Sequence, residues 1–362
     1  MGLVAQLDRD VAPARQRVWP RFRAVQATVA IGTPQISVVI VNYCQWKNTA
    51  RLTQQLRRSE AVRRGAAEIV IVDNRSPKHR LAHKLNRLSG VTVVRNRCND
   101  GFAKAVNLGS HRSHGEWVLL LNPDVSVEPG FLDRVLESAQ RFPAIDPKAG
   151  VVGFQLRNRD GTRQASAGEF PTLFRTLAGL LVPRSRRKCQ HKAVTRRQAV
   201  PWVTGGCLLV RRDCFEQLGG LDEGFFLYYE DVDFCRRVRA SGWSVWYEPA
   251  VRVTHHFPLH TRRVPPTLRL ITRHALLTYA RKHWSPWQTR LLCRIVWLEA
   301  MARQVAASRR DDPLGAECFR RLRSLVGDML QSRESAALLA VHDLAQELVS
   351  ISSANDGKTT GG

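Results

Sequence analysis

Four short apolar runs near the start of the chain each end in side chains suited to ligand chemistry. Ile36–Val41 is followed by Asn42-Tyr43, Glu68–Val72 by Asp73-Asn74, Val91–Val94 by Asn96, and Trp117–Leu121 by Asn122-Pro123-Asp124. Polar or acidic groups at four successive run ends are more ordered than chance packing would leave them. A carboxylate at Asp73 suits acceptance of hydrogen bonds from a nucleobase or ribose. One at Asp124 suits a divalent cation that bridges two phosphates. The chain has no GxGxxG and no P-loop lysine motif, so a standard dinucleotide fold or phosphate loop is not supported.

The elements that must position these groups follow from hydrophobic spacing. The four runs are strand-length and alternate with helical stretches, one of them Gly101–His114, which is the pattern of a doubly wound α/β sheet. Runs this apolar predict strands covered on both faces, as in parallel sheets. In such sheets ligands bind outside the carboxyl ends of the strands, where the four polar groups sit. Further on, Val200–Val210 predicts a strand containing Gly205-Gly206, Arg211–Leu218 a short helix, and Glu230 the start of another. Ser244–Tyr247 and Val251–Thr254 predict two more strands. After Pro265-Pro266 the chain is helical to about Val349, with helices over roughly 267–283 and 287–308. Residues 183–198 read as a basic loop and those from Ser350 as a polar, frayed tail.

Hydrophobic residues at 44% and charged residues at 24% are ordinary globular values, which excludes a collagenous or wholly disordered chain. Lys+Arg outnumber Asp+Glu by 56 to 31, for a net charge of +25. A field of that sign favours anionic partners: nucleic acid, an anionic bilayer, or nucleotides and phosphates. No transmembrane span or secretory signal is predicted. The 8 cysteines form no CxxC pair and read as reduced thiols in a cytoplasmic protein.

Six segments, in order, resemble the family 2 glycosyltransferases of the inverting GT-A class, and within it the bacterial rhamnosyltransferase-like enzymes. They are Val38–Tyr43, Ile69–Ser76, Asn99–Gly109, Leu119–Val125, Gly219–Trp243 and the weaker Glu248–His256. The resemblance implies a Rossmann-like, mostly parallel sheet with helices on both faces, spanning residues 35–262. Its nucleotide-sugar half is 35–125 and its acceptor half 126–262. A basic arm (1–34), a helical appendage (263–349) and a tail (350–362) flank it. The implied activity is transfer of a sugar from a nucleoside-diphosphate sugar, dTDP-rhamnose or a UDP-sugar, to a glycan or polyprenyl-diphosphate-linked acceptor. Asp73 resembles the carboxylate that binds base or ribose, and Asn42, Tyr43, Asn99, Gly101, Phe102, Asn107 and Asn122 are expected around the donor. Asn122-Pro123-Asp124 occupies the place of the family's Asp-x-Asp metal motif with Asn in its first position. Asp124 is thus the expected ligand of Mg²⁺ or Mn²⁺, and His255, beside His256, matches a histidine that completes the site in some relatives. Glu230-Asp231 resembles the catalytic motif: an attacking hydroxyl must lose a proton, and Asp231 is the expected base, with Glu230 as the alternative. Trp202, Gly205, Gly206 and Asp222 resemble the acceptor side.

The positive charge concentrates outside these segments. Arg290–Val305 spaces Leu291, Ile295, Leu298, Met301, Ala302 and Val305 as an apolar stripe flanked by Arg290, Arg294 and Arg303. Such a helix either packs its stripe on the domain beside it or lies on an anionic membrane surface. The expected location is cytoplasmic, with attachment at the inner face of the cytoplasmic membrane as the second alternative. No nucleic-acid-binding motif accompanies the charge, so nucleic acid is not an expected partner.

Overall fold

Alternate residues of the first strand feed opposite cores. In β1 (Ile36–Asn42), Ile36, Val38 and Ile40 join one hydrophobic cluster, while Val39 and Val41 join another. Both faces are covered, which explains the unbroken apolar run. A computed structural model of the protein describes residues 33–181, 194–257 and 264–356. The basic arm up to residue 32 and residues 183–193 of the basic loop expected at 183–198 lie outside the described residues.

The remaining strands are β2 (Ala67–Asp73), β3 (Val91–Arg95), β4 (Trp117–Leu121), β5 (Val125–Val127), β6 (Ala149–Arg157), β7 (Ala167–Gly168), β8 (Gln198–Ala199), β9 (Trp202–Val203), β10 (Cys207–Arg211) and β11 (Ser244–His255). The main sheet runs β3-β2-β1-β4-β10-β6-β11-β5, with β8 paired to β11 and a small β7–β9 ribbon apart. Strands β3, β2, β1 and β4 are mutually parallel, β10 is antiparallel to both neighbours, β11 is parallel to β6, and β5 is antiparallel to β11. This is a mixed α/β sheet in which most strands run the same way, the architecture that the resemblance implied. Helices α1 (Trp46–Arg57), α2 (Glu60–Arg63), α3 (Arg80–Asn86) and α5 (Phe131–Ile145) contribute residues to one core or pack near it. Helices α4 (Phe102–His111), α7 (Arg212–Gln217) and α8 (Glu230–Ala240) serve the other.

The expected pair of strands at Ser244–Tyr247 and Val251–Thr254 is one irregular strand, β11, whose register against β6 shifts between Glu248 and Arg252. The irregularity makes one strand look like two. The expected strand Val200–Val210 is split into β9 and β10 by the turn at 204–206. Strand β6 and helix α5 had no clear sequence signal, although β6 is almost wholly buried.

After α6 (Leu173–Leu181), four more helices follow the sheet: α9 (Pro266–His283), α10 (Pro286–Ser308), α11 (Pro313–Leu330) and α12 (Glu334–Asp356). Prolines at the first helical position start α9, α10 and α11. Helix α12 runs past Ser350, where the sequence predicted a frayed tail. These helices are the expected C-terminal helical region. Their core includes Leu277, Leu292 and Val296, and it also takes in Phe226 and Leu173 from the sheet-bearing part of the chain.

Candidate active site

Register sets the donor side. Asn42 pairs with Asp73, and Asp73 with Arg95, so three strand ends finish level. Asp73 is 1% exposed; its Oδ1 accepts from the Ser76 backbone N–H at 3.0 Å, and its Oδ2 lies 3.3 Å from Arg95 Nη1. Oδ2 makes no well-aligned hydrogen bond, which leaves an acceptor at the strand end. Tyr43 is half-buried, and its hydroxyl donates to the Ala345 carbonyl of α12 at 3.3 Å. Burial pushes the Tyr43 phenol pKa up.

The loop into α4 is tightly knit. Asn99 accepts from Asn74 Nδ2 at 2.7 Å and from the Gly101 N–H at 3.2 Å. Asn74 also donates to the Gly101 carbonyl at 3.1 Å and accepts from Asn96 at 2.8 Å. Asn74, named in the sequence only as a polar strand-end residue, is thus the hub of the loop. Gly101 adopts φ +91, and a Cβ there would lie 2.5 Å from the Phe226 carbonyl oxygen, so only glycine fits. That carbonyl accepts from the Phe102 N–H at 2.6 Å, binding the start of α4 to the loop before α8.

Two expected donor residues make hydrogen bonds within the protein. Asn42 is fully buried, donates to Ser76 Oγ at 3.0 Å and accepts from Thr49 Oγ1 at 2.7 Å. Asn107 donates to the Leu221 carbonyl and accepts from the Leu221 N–H, both at 2.9 Å, so it clasps the 220–223 loop as a peptide would. Burial and complete partnering give both amides positioning roles.

Asp124 and His255 come together, as their expected shared role requires. Strand β5 pairs antiparallel with β11, setting His255 opposite Val125, and Asp124 Oδ2 lies 3.3 Å from His255 Nε2. Both side chains keep some exposure, 14% and 12%. The Gln164 side-chain amide, 3.2 Å from His255 Nδ1, orients the ring; nothing in the sequence had marked it. His256 turns away, with Nε2 2.7 Å from Ser126 Oγ. A carboxylate oxygen and an imidazole nitrogen at this spacing suit two neighbouring ligands of one divalent ion, each about 2.1 Å from it. Among the described residues no group of three or more His, Cys, Asp or Glu gathers around a common point.

The other carboxylates stand at the N-terminus of α8. Asp231 Oδ2 accepts from the Gly205 N–H at 2.7 Å, and Oδ1 from the Val232 N–H at 2.8 Å. Gly206, next in the same turn, accepts through its carbonyl from the Asn122 N–H at 3.3 Å. One turn, 204–206, therefore touches both the Asn122–Asp124 segment and Asp231. Glu230 is 5% exposed, and its Oε2 has no hydrogen-bond partner. Burial, then the neighbouring Asp231, pushes the Glu230 pKa well above its usual range. Burial raises the Asp231 pKa too, against its two backbone donors. Both carboxyls are therefore pushed toward holding a proton, Glu230, the one with an unpartnered oxygen, more strongly than Asp231. Tyr228 and Tyr229 precede them with φ 74 and 66, a left-handed pair that costs backbone energy and aims the helix start.

Trp202 packs with Phe170, Tyr228 and Tyr229 beside this helix start, and its indole donates to the Glu169 carbonyl at 2.9 Å, giving an aromatic wall. Asp222 accepts from the Gly224 N–H at 2.8 Å and is ion-paired to Lys282 of α9. Lys282 also reaches Asp233 Oδ1 at 2.6 Å, where His283 Nε2 lies at 2.8 Å, while Arg237 Nε holds Oδ2 at 2.8 Å. This anchor joins α9 to α8 across about fifty residues of sequence, with no local signal to announce it.

With this geometry in view, the comparisons with known proteins are specific. The chain is 32% identical over 280 residues to the N-acetylglucosaminyl-diphospho-decaprenol L-rhamnosyltransferase of Mycobacterium tuberculosis, covering 72% of this chain and 88% of that one. It is 26% identical over 238 residues to the low-salt glycan biosynthesis hexosyltransferase Agl10 of Haloferax volcanii, covering 63% of this chain and 69% of that one. Among solved structures, it is similar to the mannosyltransferase PcManGT from Pyrobaculum calidifontis in complex with GDP-Man and Mn²⁺, at 17% identity and a TM-score of 0.47, covering 85% and 86% of the two chains. Residues 34–274 match the family described as glycosyltransferase like family 2, and the chain is a glycosyltransferase belonging to that family.

Proposed function

We propose that this enzyme moves a hexosyl unit, with rhamnosyl favoured, from a nucleoside-diphosphate sugar to a lipid-linked glycan acceptor by a single, inverting displacement. The observation that carries the reading is the 204–206 turn, which contacts Asp231 through Gly205 and the Asn122–Asp124 segment through Gly206. A base and a diphosphate-binding carboxylate are thereby held on one rigid element. The relative that acts on a decaprenol-diphosphate-linked sugar supports the acceptor class.

In this reading Asp73 and the Asn74–Asn99–Gly101 loop hold the nucleoside, and Asp124 with His255 faces the diphosphate. A divalent cation bound by that pair would neutralise charge on the leaving diphosphate. The acceptor hydroxyl docks against the Trp202 wall and hydrogen-bonds to Asp231. As its oxygen bonds to the anomeric carbon, its proton passes to Asp231 and the sugar–phosphate bond breaks with the electron pair on the nucleoside diphosphate. The Gly205 and Val232 N–H groups keep Asp231 oriented, and its raised pKa makes it a stronger base.

The test is a thermal-shift screen against dTDP, UDP, GDP and CDP with and without Mn²⁺, followed by donor turnover. One diphosphate is expected to raise Tm in a metal-dependent manner. Asp124→Ala should abolish the metal-dependent part. Asp231→Asn should keep the shift and lose transfer. No shift with any diphosphate, or full transfer by Asp231→Asn, overturns the reading.

A further inference from the structure

The apolar stripe noted on α10 is not what packs the helix onto the protein. Its buried side is Leu292, Cys293, Val296, Ala300 and Ala307. The opposite side carries Trp287, Leu291, Leu298, Met301 and Val305, exposed by 57%, 38%, 53%, 37% and 48%. Spaced by four, seven, three and four residues, they form one line along the helix, about 27 Å long at 1.5 Å per residue. Arg294 fills the gap in the line and Arg290 flanks it; both are exposed and neither has an ion-pair partner among the described residues. The only carboxylate of α10, Glu299, is held away from the line by Arg269, Arg273 and Arg303. The outer face is thus apolar and cationic with no free acid.

We infer that this face of α10 is a docking surface for an anionic lipid bilayer, on which the helix lies parallel to the membrane plane. Charge decides against a second copy of the chain. Two α10 helices paired face to face would gather four arginines in one apolar interface, with no carboxylate on the line to answer them. Anionic headgroups answer the arginines while the large apolar side chains enter the acyl boundary. The placement of the helix agrees. Trp284, just before α10, donates its indole N–H to the Pro171 carbonyl at 3.0 Å and packs in the same cluster as Phe170, Trp202 and Tyr229. That contact brings the start of the line beside α6, whose Phe174 is 73% exposed. One end of the membrane face therefore lies by the aromatic wall that receives the acceptor. Only this last point rests on the transferase reading.

The experiment is flotation of the full-length chain with phosphatidylcholine vesicles, with and without phosphatidylglycerol. Binding is expected only when phosphatidylglycerol is present. Leu298→Glu/Met301→Glu and Arg290→Glu/Arg294→Glu should each weaken it about tenfold or more. Melting temperature and the nucleoside-diphosphate thermal shift should stay as in the parent, which separates this inference from the catalytic one. Equal vesicle binding by parent and variants, or none by the parent, overturns it. So does a dimer in analytical ultracentrifugation that Leu298→Glu/Met301→Glu converts to monomer.

Discussion

Replacing Asp233 by Asn tests whether the C-terminal helices hold α8, the helix that carries the proposed base Asp231, in place. The Asp233 side chain is 0% exposed and meets Arg237, Lys282 and His283 within 2.8 Å. Burial alone would raise its pKa, but the His283 hydrogen bond and the Arg237 and Lys282 charges hold it well below the usual carboxylate range. Removing one partner of a buried ion pair costs about 3–5 kcal/mol. The three partners are 12–30% exposed and can recover some hydration, so the low end applies. At roughly 2 °C per kcal/mol for a chain of this size, about 3 kcal/mol lowers Tm by about 6 °C. The sign with pH follows from the depressed value. A carboxyl whose folded pKa is lowered stabilises fully above its unfolded value of 3.8, and that stability is lost as pH falls below it toward the folded value. Asp233→Asn should therefore melt lower than the parent at pH 7, and the gap should shrink below about pH 4. Calorimetric or fluorescence melts across pH 3–7 measure this. A neutral-pH Tm within 1 °C of the parent, or a gap constant over the whole range, refutes the reasoning. Transfer kinetics add a second readout. Lys282 also grips Asp222, and Asp231 stands two residues before Asp233, so kcat should fall more than the donor KM rises.

Two further outcomes follow from the same geometry. Gly101→Ala places a Cβ 2.5 Å from the Phe226 carbonyl at φ +91, costing about 2 kcal/mol or more, and should lower Tm and weaken the nucleoside-diphosphate thermal shift together; an unchanged shift would detach this loop from the donor site. Glu230→Gln removes a carboxyl whose folded pKa is raised, a stabilising contribution present below the unfolded value of 4.5 and lost as pH rises through the folded one, so the variant's Tm should gain on the parent steadily above pH 4.5; a difference flat from pH 4.5 to 8 would show that Glu230 is not buried as a neutral acid.

The class of fold, the strand ends and the two carboxylate motifs are written in local signals. Unbroken apolar runs, the glycine of the Asn99–Phe102 loop and the acidic first turn of α8 depend on residues within a few positions of one another, so they can be read one segment at a time. Even the pairing of Asp124 with His255 was expected, although its geometry depends on β5 meeting β11 across the sheet. What the linear chain does not show is which polar groups the folded protein takes for itself. Asn42 and Asn107 stand in ligand-suited places, yet Thr49, Ser76 and Leu221 satisfy them first, while Asn74 and Gln164 become structural partners of site residues. The Asp233 anchor was hidden, and the α10 stripe, though visible in the sequence, left open which way it would face. A helix with apolar residues on two sides does not say which side will find the core, and a carboxylate does not reveal a lysine about fifty residues away. Both were decided by tertiary packing, because burial and ion pairing depend on distance in space, and the chain's local pattern constrains only distance along the sequence.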